Sequence, residues 1–66
     1  MKVTINGEAR EIPEGFTVGS LLDQLKMPRD RVALERNREI VPRARWNETR
    51  VEENDSFEIV QFVGGG

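Results

Sequence analysis

The sequence contains no cysteine, no histidine and no tyrosine among its 66 residues. Without cysteine there is no disulfide, and without cysteine or histidine a metal site of the zinc-finger type is excluded. The commonest catalytic nucleophiles and general bases are also missing, and the serines have no histidine to activate them. We therefore expect no catalytic residues, no metal site and no bound cofactor, and predict that the chain is not an enzyme.

The net charge and the hydropathy of the sequence argue against nucleic acid and membrane as binding partners. The net charge is −2, whereas nucleic-acid binding favours a basic surface. One segment, Arg36–Arg45, holds four arginines and is either a patch for an acidic partner or phosphate, or a solvated turn. The sequence shows neither an apolar stretch of membrane-spanning length nor a signal-peptide core at its start. We expect a cytoplasmic protein that binds neither nucleic acid nor membrane.

The first part of the chain predicts a hairpin. Residues from Met1 to Ile5 alternate between apolar and polar, which is typical of a half-buried strand. Asn6 and Gly7 follow, and this pair favours a two-residue turn because both residues tolerate positive φ. The resulting register places Arg10 on the apolar face, which indicates an edge strand from which the arginine head reaches water.

A helix is predicted next. Thr17 is a candidate N-cap, preceded by Phe16, which can pack back onto the helix. One apolar stripe has helical spacing and consists of Val18, Leu21, Leu22 and Leu25. Pro28 stops the helix, so it is expected to end around Lys26 or Met27.

Three further strands follow, at Val32–Glu35, Glu39–Val41 and Phe57–Val63. Turns are predicted between them, at Asn37-Arg38 and Asn54-Asp55. Trp46 is expected to cover one end of the core. Pro42 and the scarcity of apolar residues after it argue against a second helix, which a ferredoxin-like fold would need.

This order of elements predicts an α+β protein of the β-grasp class. We expect a mixed four- to five-stranded sheet with one main helix packed across one face. The first and last strands would lie side by side and parallel at its centre, joined by a right-handed crossover. No repeat or linker divides the sequence, so residues 1–66 are predicted to form a single domain with a flexible C-terminal tail at residues 64–66.

The last predicted strand presents two different faces. Alternation places Phe57 and Ile59 under the helix, whereas Val60 and Phe62 face the open side of the sheet. Such exposed apolar side chains either bind a partner or merely shield the sheet. We interpret Val60, Phe62 and Val63 as partner-contact residues.

The chain finishes on Gly64, Gly65 and Gly66, directly after this strand. A terminal glycine run is often a frayed tail or a cloning remnant. Here it is joined to a central strand, and glycine lets a backbone enter a narrow channel because it lacks a Cβ. The unhindered Gly66 carboxylate is suited to attack the α-phosphorus of a nucleotide in another protein's active site.

Taken together, these motifs resemble the thiamine-pathway sulfur carrier family, ThiS, along the whole chain. The similar segments are Val3-x-Ile5-Asn6-Gly7, Thr17-Val18-x-x-Leu21-Leu22, the run from Asn37 to Arg43, and the run from Asp55 to Gly66. Gly65 and Gly66 match the family's glycine pair, and Gly64 occupies a position where a small residue is usual. Arg10 and Arg36 depart from the family pattern.

The resemblance implies a ubiquitin-like β-grasp protein that carries sulfur on the Gly66 carboxylate. A ThiF-like enzyme would adenylate this carboxylate with ATP. Sulfur from a cysteine desulfurase or a related donor would then convert the adenylate into a thiocarboxylate. A ThiG-like thiazole synthase would use that sulfur to build the thiazole ring of thiamine.

Alternative functions remain open from the sequence. A MoaD-like subunit of molybdopterin synthase has the same fold and tail chemistry, but its members are longer and carry prolines before the glycines, unlike Gln61-Phe62-Val63. A related carrier that also conjugates to protein lysines is a further possibility. A TGS-like β-grasp binding module would have an inert tail. A carboxylate-only hydrolase would keep its activity without tail or partners.

Overall fold

The computed structural model describes residues 1–63, which form a five-stranded mixed sheet and one α-helix. The strands are β1 (Lys2–Ile5), β2 (Glu8–Glu11), β3 (Val32–Arg36), β4 (Glu39–Ile40) and β5 (Ser56–Gln61), and the helix α1 spans Val18–Gln24. Their order across the sheet is β2-β1-β5-β3-β4, with β1 and β5 parallel and the other pairs antiparallel. This arrangement confirms the predicted α+β, β-grasp fold.

The hairpin between β1 and β2 has the predicted turn and register. Asn6 and Gly7 have φ values of 50° and 84°, as a type I′ turn requires. Val3 lies opposite Arg10. Because β2 is at the edge of the sheet, the Arg10 side chain stays half exposed, 3.7 Å from the Glu8 carboxylate. The edge position thus accommodates this departure from the family pattern.

Helix α1 begins as predicted and ends earlier. The Thr17 hydroxyl oxygen accepts a hydrogen bond of 3.1 Å from the Ser20 amide, as an N-cap does. The predicted end at Lys26 or Met27 is wrong, because Lys26 adopts a left-handed φ of 59°. Its amide donates to the Asp23 carbonyl, and the Met27 amide donates to the Leu22 carbonyl. These two bonds form a Schellman motif, which closes the helix before Pro28 is reached.

The later strands differ in length from the prediction because each needs a partner. Strand β3 runs one residue further, to Arg36, and β4 stops at Ile40 rather than at Val41. Strand β5 ends at Gln61, not at Val63, because β3 begins only after a 3₁₀ turn at Arg29–Arg31. One backbone bond of 2.7 Å, from the Phe62 amide to the Arg31 carbonyl, extends the register by a single residue.

The core lies between α1 and one face of the sheet. The buried side chains are Val3, Ile5, Ile12, Val18, Leu21, Leu22, Val32, Leu34, Trp46, Val51, Phe57 and Ile59. The predicted apolar stripe of α1 implies that Leu25 is buried as well, but Leu25 is the C-cap of the helix and is only partly buried. Trp46 is fully inside, and its Nε1 donates to the Val41 carbonyl at 2.8 Å. The segment around it forms a 3₁₀ turn at Arg43–Arg45 and not a second α-helix.

Candidate functional site

The side of the sheet opposite α1, here called the open face, carries Val60 of β5 and Phe62 just beyond the end of that strand, two of the predicted partner-contact residues. Phe57 and Ile59 are buried, whereas Val60 is 60% exposed and Phe62 is 49% exposed. The predicted alternation along this strand is therefore confirmed. Val63, beyond the end of the strand, is 96% exposed. That these three residues contact a partner stays a prediction.

Neighbouring strands widen this surface. Ala33 of β3 lies directly opposite Val60, and Ile40 of the short strand β4 is 75% exposed. We call Ala33, Ile40, Val60 and Phe62 the apolar patch. It includes a depression of about 130 Å³ around Ala33, Ile40 and Val60, and a broader one of about 330 Å³ beside Phe62. Contiguous exposed apolar side chains of this kind mark interaction sites in small proteins.

Ala33 and Ile40 were not predicted to belong to this surface. A usable signal was present in the predicted Asn37-Arg38 turn, because a two-residue hairpin places Ile40 opposite Glu35. Both turn residues have positive φ, 51° and 73°, as such a hairpin requires. Ile40 therefore projects from the same face as Glu35.

The start of β5 is held by a buried carboxylate, that of Asp55. One of its oxygens accepts hydrogen bonds from Arg36 Nε at 2.9 Å and from the Glu52 amide at 2.8 Å. The other oxygen accepts from the Asn37 side-chain amide at 3.1 Å. Asn37 in turn accepts a bond from the Ser56 amide at 3.0 Å. This network joins the turn before β5 to the β3–β4 hairpin, and it gives Arg36, the second departure from the family pattern, a structural role.

Further along, β5 is held by a turn residue. Beyond the end of β1, the Asn6 side chain donates to the Ile59 carbonyl at 3.1 Å and accepts from the Ile59 amide at 2.7 Å. The side-chain amide thus replaces the backbone of a neighbouring strand. Asn6 therefore shapes the hairpin turn and also anchors the middle of β5.

The basic segment Arg36–Arg45 is divided by the structure. Arg36 is committed to Asp55, whereas Arg38, Arg43 and Arg45 are exposed. The Arg43 guanidinium lies 5.9 Å from the centre of the Trp46 ring, a cation–π contact. The segment therefore combines one arginine that is paired within the protein with three that face solvent.

The predicted sulfur-attachment residue Gly66, with Gly64 and Gly65, lies outside the described residues. Within residues 1–63, no group of three or more acidic, histidine or cysteine side chains is arranged to hold a metal ion. No helix in the described part of the chain has the length and apolarity needed to cross a bilayer. The geometry offers an apolar contact surface on the strand that leads towards the glycines.

Comparisons with known proteins agree with this geometry. A family model described as the ThiS family matches residues 3–66. The sulfur carrier protein ThiS of Escherichia coli K12 is 35% identical over 66 residues, which is 100% of both chains. A crystal structure of the thiamine biosynthesis protein ThiS from Geobacter metallireducens superposes with a TM-score of 0.85 at 33% identity, covering 100% of both chains.

A second kind of relative is much longer than this chain. A thiazole synthase of Paramagnetospirillum magneticum is 46% identical over 66 residues, and one of Magnetococcus marinus is 38% identical over the same length. The match covers all of this chain but only 20% of each of those proteins, so the chain spans a fifth of their length. The family match over residues 3–66 and the fold shared with a solved ThiS structure establish that this chain belongs to the ThiS family.

Proposed function

We propose that this chain is a sulfur carrier protein of thiamine biosynthesis, with the Gly66 carboxylate as the group that carries sulfur. The observation that carries this proposal is the exposed apolar patch in a member of the ThiS family. It includes Val60 of β5 and Phe62, which precedes Gly64–Gly66 by two positions in the sequence. A carrier needs a surface that other proteins grip and a reactive group that reaches into them. The patch supplies the first and the glycine run supplies the second.

The proposed chemistry begins with activation of the carboxylate. A Gly66 carboxylate oxygen attacks the α-phosphorus of ATP in the adenylating enzyme, and pyrophosphate leaves. A sulfur nucleophile then attacks the acyl carbon, and AMP leaves. Sulfur that arrives as a protein persulfide first gives an acyl disulfide, which a thiol reduces to the thiocarboxylate. Glycine suits these steps because a residue without a Cβ leaves the carboxylate unhindered.

In this proposal the chain is a co-substrate, and its partners supply the catalytic groups. ATP binds to a ThiF-like adenylating enzyme, and a cysteine desulfurase or a related donor supplies the sulfur. The final acceptor is a ThiG-like thiazole synthase. Support for this acceptor comes from the two long relatives, in which a segment similar to this chain is part of a protein called thiazole synthase.

Mass spectrometry of the protein purified from its own cells tests the proposal. During growth without thiamine, a fraction of the chain is expected to have one carboxylate oxygen of Gly66 replaced by sulfur. The control is protein from cells that lack the adenylating enzyme, in which only the carboxylate form is expected. Finding only the carboxylate form in both cultures would contradict the proposal and favour a binding module with an inert tail.

A further inference from the structure

Two glutamates lie directly opposite each other on the open face. Glu35 of β3 pairs with Glu58 of β5, and both side chains are exposed. Like charges at directly opposite positions of an antiparallel pair destabilise the sheet. The Glu35–Glu58 pair is therefore unfavourable for the stability of the sheet, and it lies next to the apolar patch.

Within residues 1–63, no salt bridge offsets the repulsion between the Glu35 and Glu58 carboxylates. The salt bridges formed within residues 1–63 use other carboxylates, those of Glu8, Asp23, Glu52 and Asp55. On its other side, Glu35 faces Ile40, an apolar residue of β4. The two carboxylates thus stand together beside apolar side chains without a cation from the described part of the chain.

The depression beside Glu35 and Glu58 is complementary to a long basic side chain. Glu35 and Glu58 line the 130 Å³ depression together with Ala33, Ile40 and Val60. Lysine and arginine combine an apolar stem with a charged head, and they bury the stem along apolar surface. An apolar floor with two carboxylates at its rim is complementary to such a side chain.

From this geometry we infer that the depression is the docking site of thiazole synthase, which inserts a basic side chain with its stem on the apolar patch and its head between Glu35 and Glu58. The inference rests on the proposed function. The two carboxylates favour a basic side chain as the ligand. The two long relatives indicate which protein supplies it, because in each of them a segment similar to this chain is part of a protein called thiazole synthase.

The position of the site fits a carrier that must reach into its partner. An extended chain from Glu58 to Gly66 spans at most roughly 26–29 Å. A contact at the depression therefore holds the domain while the carboxylate is presented some distance away.

The test is direct binding of the full chain to thiazole synthase from the same organism. The double variant Glu35→Gln/Glu58→Gln is expected to bind about tenfold more weakly or worse, because charge-assisted hydrogen bonds are lost. The control Glu14→Gln/Glu48→Gln changes the net charge equally at exposed positions outside the depression, and it is expected to stay within about twofold of the parent.

Two further measurements separate this inference from its alternatives. The Glu35→Gln/Glu58→Gln variant is expected to unfold at the same or a higher urea concentration, so weaker binding cannot be ascribed to a damaged fold. Parental binding is also expected to weaken more steeply with salt than binding of the double variant.

Several results would overturn the inference. Unchanged binding of the Glu35→Gln/Glu58→Gln variant would do so while leaving the thiocarboxylate, and hence the proposed function, intact. If that variant lost adenylation but still bound thiazole synthase as the parent does, the depression would be assigned to the adenylating enzyme. Loss of self-association would assign it to a second copy of this chain. Absence of the thiocarboxylate from the parent would overturn the proposed function and this inference together.

Discussion

Asp55 is the one charged or polar side chain that is buried within residues 1–63. Burying a carboxylate is costly unless its oxygens are hydrogen-bonded, and both oxygens of Asp55 accept such bonds. Its partners come from the end of β3, from the β3–β4 turn and from the loop before β5. A single residue thus fixes the place where the central strand enters the sheet.

Replacing Asp55 with alanine is expected to lower the free energy of unfolding by about 3 kcal/mol or more, because Arg36, Asn37 and the Glu52 amide lose their acceptor. Urea denaturation measures this change. The control is Asp30→Ala, at an exposed position in a 3₁₀ turn, which should change the free energy of unfolding by about 0.5 kcal/mol or less. Equal effects of the two substitutions would contradict the role assigned to Asp55.

Lys26 supplies a second prediction at this scale. Its left-handed conformation closes α1, and a residue with a Cβ pays roughly 1–2 kcal/mol for that conformation while glycine does not. Lys26→Gly is therefore expected to be more stable than Lys26→Ala by about 1 kcal/mol in urea denaturation. Because both variants lack the lysine charge, the difference between their free energies of unfolding reports the cost of the left-handed backbone conformation at residue 26. Equal stabilities would show that the Schellman closure does not depend on this residue.

At the scale of elements, β5 connects the fold to the proposed function. Its Phe57 and Ile59 pack beneath α1, while its Val60, together with Phe62 just beyond its end, belongs to the apolar patch. The strand is flanked by β1 and β3, and the Asn6 side chain holds it past the end of β1. One short strand thereby couples the core to the apolar patch, and Gly64–Gly66 follow it in the sequence.

Phe62→Asp tests the contact surface of this element. The substitution is expected to leave the fold intact, since Phe62 is about half exposed, and to weaken binding to the adenylating enzyme about tenfold or more, because a charge enters an apolar contact. The matched control is Gln61→Asp, which adds the same charge one position earlier, where alternation turns the exposed side chain away from the open face. If the Phe62→Asp variant binds as the parent does, the open face is not the contact surface.

Local patterns in the sequence predicted the existence and order of the elements well. Asn6-Gly7, Thr17 and the alternation from Phe57 onward each specify a backbone conformation through neighbouring residues alone. Element ends were less accurate, because Lys26 ends α1 in a conformation that lysine rarely adopts, and β5 stops where β3 no longer pairs with it. The buried role of Asp55 was not predicted either, since its partner Arg36 is distant in sequence and meets it only in the folded sheet.

On the scale of the whole molecule, the described residues form a scaffold with one covered face and one open face. The helix and the core occupy the first, and the apolar patch with Glu35 and Glu58 occupies the second. The core of such a small domain is thin, because a chain of this size buries only about 60% of the surface that its unfolded form exposes. A thin core is consistent with a protein whose proposed chemistry takes place inside its partners, at the Gly66 carboxylate.

The most direct test of this account deletes Gly66 from the 66-residue chain. The deletion leaves the core and the apolar patch unchanged, but it moves the carboxylate back by up to about 3.3–3.6 Å. Attack on a nucleotide requires reacting atoms roughly 3–3.5 Å apart, so the shortened chain cannot reach. Appending one alanine after Gly66 is expected to fail as well, since the carboxylate is then displaced and crowded by a Cβ.

The measurement is ATP–pyrophosphate exchange catalysed by the ThiF-like adenylating enzyme, run beside direct binding of each chain to that enzyme. The chain lacking Gly66 is expected to bind within about threefold of the parent, a loss of at most about 0.7 kcal/mol, because the apolar patch is intact. Exchange with that chain is expected to fall to background. Normal exchange by the chain lacking Gly66 would contradict the assignment of this carboxylate as the site of sulfur attachment.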